Sequence, residues 1–393
     1  AEPAADGPIQ LEFWHGYTEA DGKVLDELVA EFNASQDDIE ITSLTKPWGT
    51  LLDTVLPALA AGNGPELLAL PVENIPVYAE RGALHSLEGW YEASDRAGDL
   101  NEQAVATGTV AGERFAVPLS FTPLSMFYNQ ALFDAAGVEV PETWDEWVAA
   151  AQAMTIDSNG DGTPEQYGLA LQDHHTVGNG VWMSLLKSGG GDVVTPNGEV
   201  VVDSPENAAT LEFWADAVAA HKISPTGLNG IDGDGLFSAG KAAMTFGGPW
   251  MATIAESSGI EYGIAGLPAG PDGVAASALA VDVTVTSQAT DAELAAAQTF
   301  FDWFYGADNM VTWSLASGWP PLTTDITADQ VAENPVVASL TEQAPFGVAL
   351  LPGVIPSTDI LVALDTLTQK ALAGGDIAAL LAEAQAEMEA ILA

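Results

Sequence analysis

Apolar residues alternate with polar ones at the start of the chain. In "IQLEFWH", Ile9, Leu11 and Phe13 share one face, the two-residue period of a strand. Val24, Leu25, Leu28, Val29 and Phe32 then recur at helical spacing, and "IEITSL" and "PELLALP" read as short buried strands. Strand, helix, strand with short apolar strands predicts a parallel α/β sheet. At "RFAVPLSFTPLSMFYN" two prolines stand close together, as at a crossover between two lobes.

Beyond it the helical period returns in "PETWDEWVAAAQAM". Thr143 and Glu146 make a capping box, and Trp144, Trp147, Val148 and Ala151 line one face. "VVTPNGEVVVD" reads as a hairpin turning at Asn197-Gly198. Ser204 and Pro205 open a helix whose buried stripe is Leu211, Trp214, Ala215 and Val218. "KAAMTFGGPW", "YGIAGLP" and "ALAVDVTVTS" read as strands, the last a candidate return to the first lobe. Asp291 is the expected cap of a helix running through Phe304, and "SGWPPLTTD" a Pro-stiffened third crossing. The chain closes with helices, the last bearing Ile377, Leu380, Leu381, Ala384, Met388 and Ile391, and shows no repeat period.

Composition narrows the function. A chain of 393 residues exceeds what one core usually serves, so two domains are expected. With 56 acidic and 9 basic residues the net charge is −47, which disfavours nucleic acid and anionic membrane as partners. Such acidity serves solubility without naming a ligand. Absence of cysteine excludes disulfides and thiolate metal sites. No apolar run approaches the roughly 20 residues of a membrane span. The opening "AEPAADGP" suits a flexible tether left after a signal segment is removed, the expected membrane link being a lipid anchor upstream.

"MFYNQALFDAAGVEVPETWDEW", "LFSAGKAAMTFGGPW" and "SGWPPLT", in that order, resemble the extracellular solute-binding proteins of ABC importers, in particular the sugar and glycerol-3-phosphate binders. "LEFWHGYTEADGKVLDELVAEFNAS" resembles the start of the glycerol-3-phosphate binders, and the likeness runs from Ile9 to Ile391. The resemblance implies an α/β, two-lobed periplasmic-binding-protein-like clamp of type II with three inter-lobe crossovers. Placed near Pro118, Val281 and Leu322, these give an N-terminal lobe of 1–118 and 283–322 and a C-terminal lobe of 119–282 and 323–393. It further implies an extracytoplasmic, monomeric binder that closes on a small ligand between its lobes and delivers it to ABC permease subunits, without catalysis and without a required cofactor.

A sugar offers C–H faces and hydroxyls, and so calls for aromatic platforms with a few oriented polar groups. Trp144, Trp147, Trp214 and Trp303 sit on helical stripes and are read as core, while Trp14 is ambiguous. Trp250 follows "FGGP", where Gly248 and its neighbour would let a ligand approach the backbone; in similar sugar binders the tryptophan of this Gly-Pro-Trp motif stacks on the ligand. Trp319 and Trp48 stand where glycerol-3-phosphate binders carry tyrosines and, like Trp250, are read as loop aromatics at strand ends, while Trp182 is balanced between site and core. The resemblance adds Glu73, whose place Val72 fits equally, and Thr122. Asp282, interrupting apolar "ALAVDVTV", would be costly if merely buried. His15, Tyr17, Asp173 and His174 lie near strand ends, where structural roles fit as well. Glycerol-3-phosphate binders hold phosphate with a late-loop arginine, whereas "FGVALLPGVIPS" has Ala349 or a neighbour there and no basic residue. The expected ligand is therefore a neutral mono- to trisaccharide. A polyol or glycerophosphodiester in the same fold is the alternative, and a glycoside hydrolase or an adhesion module are more distant rivals.

"DSNGDGTPE" has the oxygen-rich spacing of a calcium loop, but the twelfth position, where an EF-hand requires glutamate, is Gly168. Similarity to alginate-binding members implies ligands at Asp157, Asn159, Asp161, Thr163 (through its carbonyl), Glu165 and Gln166. A structural Ca²⁺ and an ion-free Asx/Gly turn fit equally.

Overall fold

A computed structural model describes residues 7–393 apart from 19, 175–177, 196–197, 352 and 355–356, and only the backbone of 178 and 179. Contacts divide the chain into two units, Ala1–Phe121 with Ala280–Thr341, and Thr122–Leu279 with Glu342–Ala393.

In the first unit the alternating segments form β1 (Ile9–His15), β2 (Ile39–Thr45) and β3 (Leu67–Pro71). β1 runs parallel to both neighbours, Ile9 opposite Ile39 and Phe13 opposite Leu67. The helix Ala20–Ser35 buries Val24, Leu25, Leu28, Val29 and Phe32, the five residues whose spacing predicts it. A short ribbon, β4 (Thr109–Val110) and β5 (Glu113–Arg114), precedes β6 (Ala116–Pro123), all of whose residues are buried. Trp303, on the helix Asp291–Phe304, is half-buried against Phe300 and Phe32, at ring separations of 6.3 and 5.5 Å.

In the second unit β7 (Ser125–Asn129), β8 (Tyr167–Ala170), β9 (Ala242–Gly247) and β10 (Tyr262–Ala265) form a sheet in the order β10-β7-β9-β8. Trp144, Trp147 and Trp214 are buried as their stripes require, Trp214 meeting both others edge-on at 5.4 and 5.3 Å. The Thr143–Glu146 capping box is present, and Ser204 accepts from the Asn207 N–H at 3.2 Å ahead of Pro205. The expected hairpin pairs Val194 with Val200; its turn residue Asn197 lies outside the described residues.

β11 (Ala276–Val285) begins in the second unit, where Ala276–Ala278 pair in parallel with β12 (Gly347–Ala349). It ends in the first, where Val281–Val285 pair antiparallel with β3.

Two expectations need correction. The cap of the helix Asp291–Phe304 is Thr290, whose hydroxyl accepts from the Glu293 N–H; Asp291 is already helical. The third boundary falls at 341/342 rather than 322/323. Leu322 stays in the first unit because its carbonyl accepts from the Asn101 N–H at 2.9 Å while Thr324 donates to the Asp99 carbonyl at 2.7 Å. Further on, Asn334 donates to the Leu315 carbonyl, and Val331, Val337 and Leu340 are buried.

Candidate functional site

The first unit carries an aromatic group at the carboxyl end of its parallel strands, the edge at which open α/β sheets bind ligands. After β1 the chain turns through Gly16 into Tyr17, which is 4% exposed and donates to Ser120 Oγ at 2.6 Å. Burial pushes the Tyr17 hydroxyl well above its ordinary pKa, so it stays protonated as a donor. Its ring lies 5.4 Å from Trp48 at 81°, 6.1 Å from Trp313 and 6.5 Å from Trp319. Trp313 is fully buried, while Trp48 and Trp319 are half-exposed.

Gly16 explains how Trp48 is held. A Cβ there would fall 2.0–2.4 Å from Cδ2, Cε3 and Cε2 of the indole, so the ring lies against the bare backbone. Trp48 is not in a loop but opens the helix Trp48–Ala60, behind Pro47. Trp319 follows Gly318, which ends the helix Ala307–Ser317 at φ 85°. Its N–H donates to Ser317 Oγ, and two prolines follow. Such steric fixing lowers the ordering cost of a stacking platform. Glu73 lies in the 3₁₀ turn Val72–Asn74, directly after β3. It is half-buried, and desolvation raises its carboxyl above the ordinary range despite a hydrogen bond with its own backbone.

The second unit carries Trp250, again at a helix start rather than in a loop. Gly248 caps the helix Pro249–Ser257, and a Cβ on it would sit 2.4 Å from Trp250 Cζ3. A Cβ on Gly247 would meet Met251 Cγ at 2.3 Å. The glycines thus make room for the chain's own side chains. The indole is partly exposed.

Several candidates prove to be interior, each at no more than 1% exposure. Trp182 belongs to the core of the second unit and donates to the Gln172 carbonyl at 3.1 Å, because the helix Gly178–Ser188 turns it inward. Asp173 accepts from the Gly227 N–H at 2.8 Å through one oxygen and meets His174 Nδ1 at 2.7 Å through the other, so it ties down its loop. His15 contacts Ser43 Oγ at 2.9 Å and Asp26 at 3.4 Å; burial lowers its pKa against the pull of Asp26. Thr122 directs its hydroxyl to the Pro123 carbonyl. Asp282 faces the interior of the first unit, with Oδ2 2.8 Å from Thr107 Oγ1 and Oδ1 without a partner. Burial pushes its pKa to about 8.

In the loop after the helix Trp144–Met154, Asp157 accepts from the Gly160 and Gly162 N–H groups at 2.7 and 2.8 Å. Asn159 and Asp161 accept from the second N–H beyond each, those of Asp161 and Thr163. Glu165 takes the Ser158 N–H and the Asn159 amide, while Gln166 donates to the Met154 carbonyl. A Cβ on Gly168 would lie 1.9 Å from the Ala151 carbonyl oxygen, so packing of β8 on the helix excludes a glutamate there. Among the described residues no three His, Asp or Glu side chains converge as metal ligands. The side chains named for an ion serve the loop's own amides in the described geometry.

Of the cations, Lys23, Arg114, Lys187 and Lys370 pair with carboxylates, Lys46 lies over the Trp14 ring, and Lys222 donates to the Gly162 carbonyl. Among the described residues no helix is long and apolar enough to cross a membrane.

The chain is 23% identical over 384 residues to a binding protein of Brucella abortus, covering 96% of this chain and 91% of that one. It is 24% identical to the maltotriose-binding protein of Pyrococcus abyssi over 68% of this chain and 55% of that protein. The crystal structure of the cyclic α-maltosyl-1,6-maltose binding protein of Arthrobacter globiformis superposes with a TM-score of 0.87 at 27% identity, covering 98% of this chain and 99% of that one. Residues 16–311 match the bacterial extracellular solute-binding protein model, and with the two-lobed α/β fold seen here the chain belongs to that family.

Proposed function

We propose that this protein binds a neutral carbohydrate of one to three rings and hands it to the permease of an ABC importer. The observation that carries the reading is the pair of partly exposed indoles, Trp48 and Trp319, grouped around Tyr17, with Trp48 seated against Gly16. Rigid aromatic faces suit the C–H faces of pyranose rings, and the Glu73 carboxyl is a polar group in the same unit. Saccharide binding in the Pyrococcus and Arthrobacter proteins supports the class.

Phosphate recognition calls for Arg or Lys. The segment 346–357 contains neither, and six of the nine basic residues have partners elsewhere. The test is thermal unfolding with maltose, maltotriose, cyclic maltosyl-maltose, glycerol, a glycerophosphodiester and glycerol-3-phosphate. A sugar at 100 times its Kd adds about 2.7 kcal/mol of stability. A rise with glycerol-3-phosphate and none with any sugar would overturn the proposal, and a rise with polyol or phosphodiester alone would replace the sugar.

A further inference from the structure

Tyr17 stands in the connection between β1 and the helix Ala20–Ser35 and is 4% exposed, so its ring offers a ligand almost no surface. What it provides is a wall for other rings. Trp48 meets it edge-on at 5.4 Å, Trp319 lies 6.5 Å away at 55°, and buried Trp313 backs it at 6.1 Å. Among the described residues no ring contact joins Trp48 to Trp319 directly, and Tyr17 is the neighbour they share. The angle between the two indoles therefore depends on how the Tyr17 ring is set.

Its hydroxyl sets it, by donating to Ser120 Oγ at 2.6 Å, on the short side for an O–H···O bond. Ser120 is fully buried on β6. A hydroxyl in such a place is costly unless bonded, and Tyr17 is the partner that the fold gives it. β6 takes two further tyrosine hydroxyls on alternate residues. Tyr91 donates to the Ala116 carbonyl at 2.8 Å, and Tyr305 donates to the Pro118 carbonyl. Those two bonds end on backbone, and both rings pack on Trp90. Of the three, the Tyr17 bond alone ends on a side chain, and Tyr17 alone touches Trp48 and Trp319. The strand is thus held by three hydroxyls, one of which also governs the indole pair.

We infer that Ser120 is a positioning residue for ligand recognition, fixing through Tyr17 the angle at which Trp48 and Trp319 present their exposed faces. The indoles make the contact, and Ser120 and the Tyr17 hydroxyl act through them. The inference rests on the carbohydrate reading above for its affinity readout alone.

The experiment is calorimetry with maltotriose as the probe, with Tyr91→Phe as the comparison, because it removes an equivalent buried hydrogen bond from the same strand. Ser120→Ala should weaken maltotriose binding about fivefold, the worth of one hydrogen bond. Tyr17→Phe should match it, and the double variant should bind no more weakly than either single one, since both changes break one bond. Ser120→Ala and Tyr91→Phe should lower the melting temperature alike, by about 2–4 °C, while Tyr91→Phe keeps the wild-type affinity. Should Ser120→Ala not fold, Tyr17→Phe against Tyr91→Phe makes the same comparison. Acrylamide quenching of Trp48, read as the difference between chains with and without Trp48→Phe, needs no ligand; it should change in Ser120→Ala and not in Tyr91→Phe. Equal affinity losses in Ser120→Ala and Tyr91→Phe would mark a merely structural bond and overturn the inference, as would unchanged affinity or unchanged quenching in Ser120→Ala. A wild-type chain that binds no sugar would overturn the carbohydrate reading, and quenching would still decide the hold of Ser120 on the indoles.

Discussion

Replacing Asp282 by asparagine tests the least expected group in the first unit. Asp282 is 1% exposed on β11 with Leu70 of β3 as its ladder partner. Gly108 opens the space for it, since a Cβ there would be 3.0 Å from Oδ2. Thr107 Oγ1 lies 2.8 Å from Asp282 Oδ2 and 2.5 Å from the Ala104 carbonyl. One hydroxyl proton cannot serve two acceptors. If the carboxyl is protonated the conflict disappears, because Asp282 donates to Thr107 and Thr107 donates to Ala104. Burial raises the pKa to about 8, the Thr107 hydrogen bond opposing, and no cation lowers it.

An unfolded aspartate titrates near 3.9, so between about pH 4 and 8 the folded chain holds a proton that the unfolded chain has lost. The stability this proton confers is complete below about pH 4 and lost as pH rises to about 8. Roughly three pH units separate pH 7 from the unfolded value, each worth about 1.4 kcal/mol, so the loss at pH 7 is about 4 kcal/mol. Asp282→Asn does not titrate. Its stability relative to wild type should therefore climb by about 4 kcal/mol from pH 4 to pH 7 and level off above about pH 8, whatever constant offset the amide introduces. Urea unfolding of both chains at four pH values measures this, since other carboxylates act alike on both and cancel in the difference. A difference independent of pH would refute the argument.

Gly16→Ala places a methyl where the Trp48 indole rests, 2.0 Å from Cδ2; ligand affinity should fall by about tenfold or more, with a much smaller loss of thermal stability, and unchanged calorimetric binding would remove Trp48 from the site. Asp157→Ala should destabilise the second unit by about 1–2 kcal/mol, because two backbone N–H groups lose their acceptor. Added calcium should leave the melting temperature of wild type unchanged if the turn is ion-free; a saturable rise absent from Asp157→Ala would establish an ion staple instead.

How much of this was legible in the sequence depended on whether a signal was periodic. The helix Ala20–Ser35 and the tryptophans on helical faces declared themselves, because burying one stripe forces a repeat that can be read. Trp48 and Trp250 kept their candidacy but not their setting. Each opens a helix behind or at a Pro or Gly, where the first turn is too short to display a period. Trp182 looked undecided for the same reason, its helix beginning with Gly-Asn-Gly. Glycine misled most. Gly16 and Gly248 each mark a close approach, as a glycine in such a place should, yet the group approaching is the chain's own indole. A letter code records that space is needed and not which atoms fill it. Buried carboxylates sharpen the point, since Asp173 and Asp282 are equal as letters. In the fold the first is tied to its loop through the Gly227 N–H and His174, and the second lies in the interior, where burial pushes its pKa to about 8. Partners and burial, rather than charge, are what separate carboxylates in so acidic a chain.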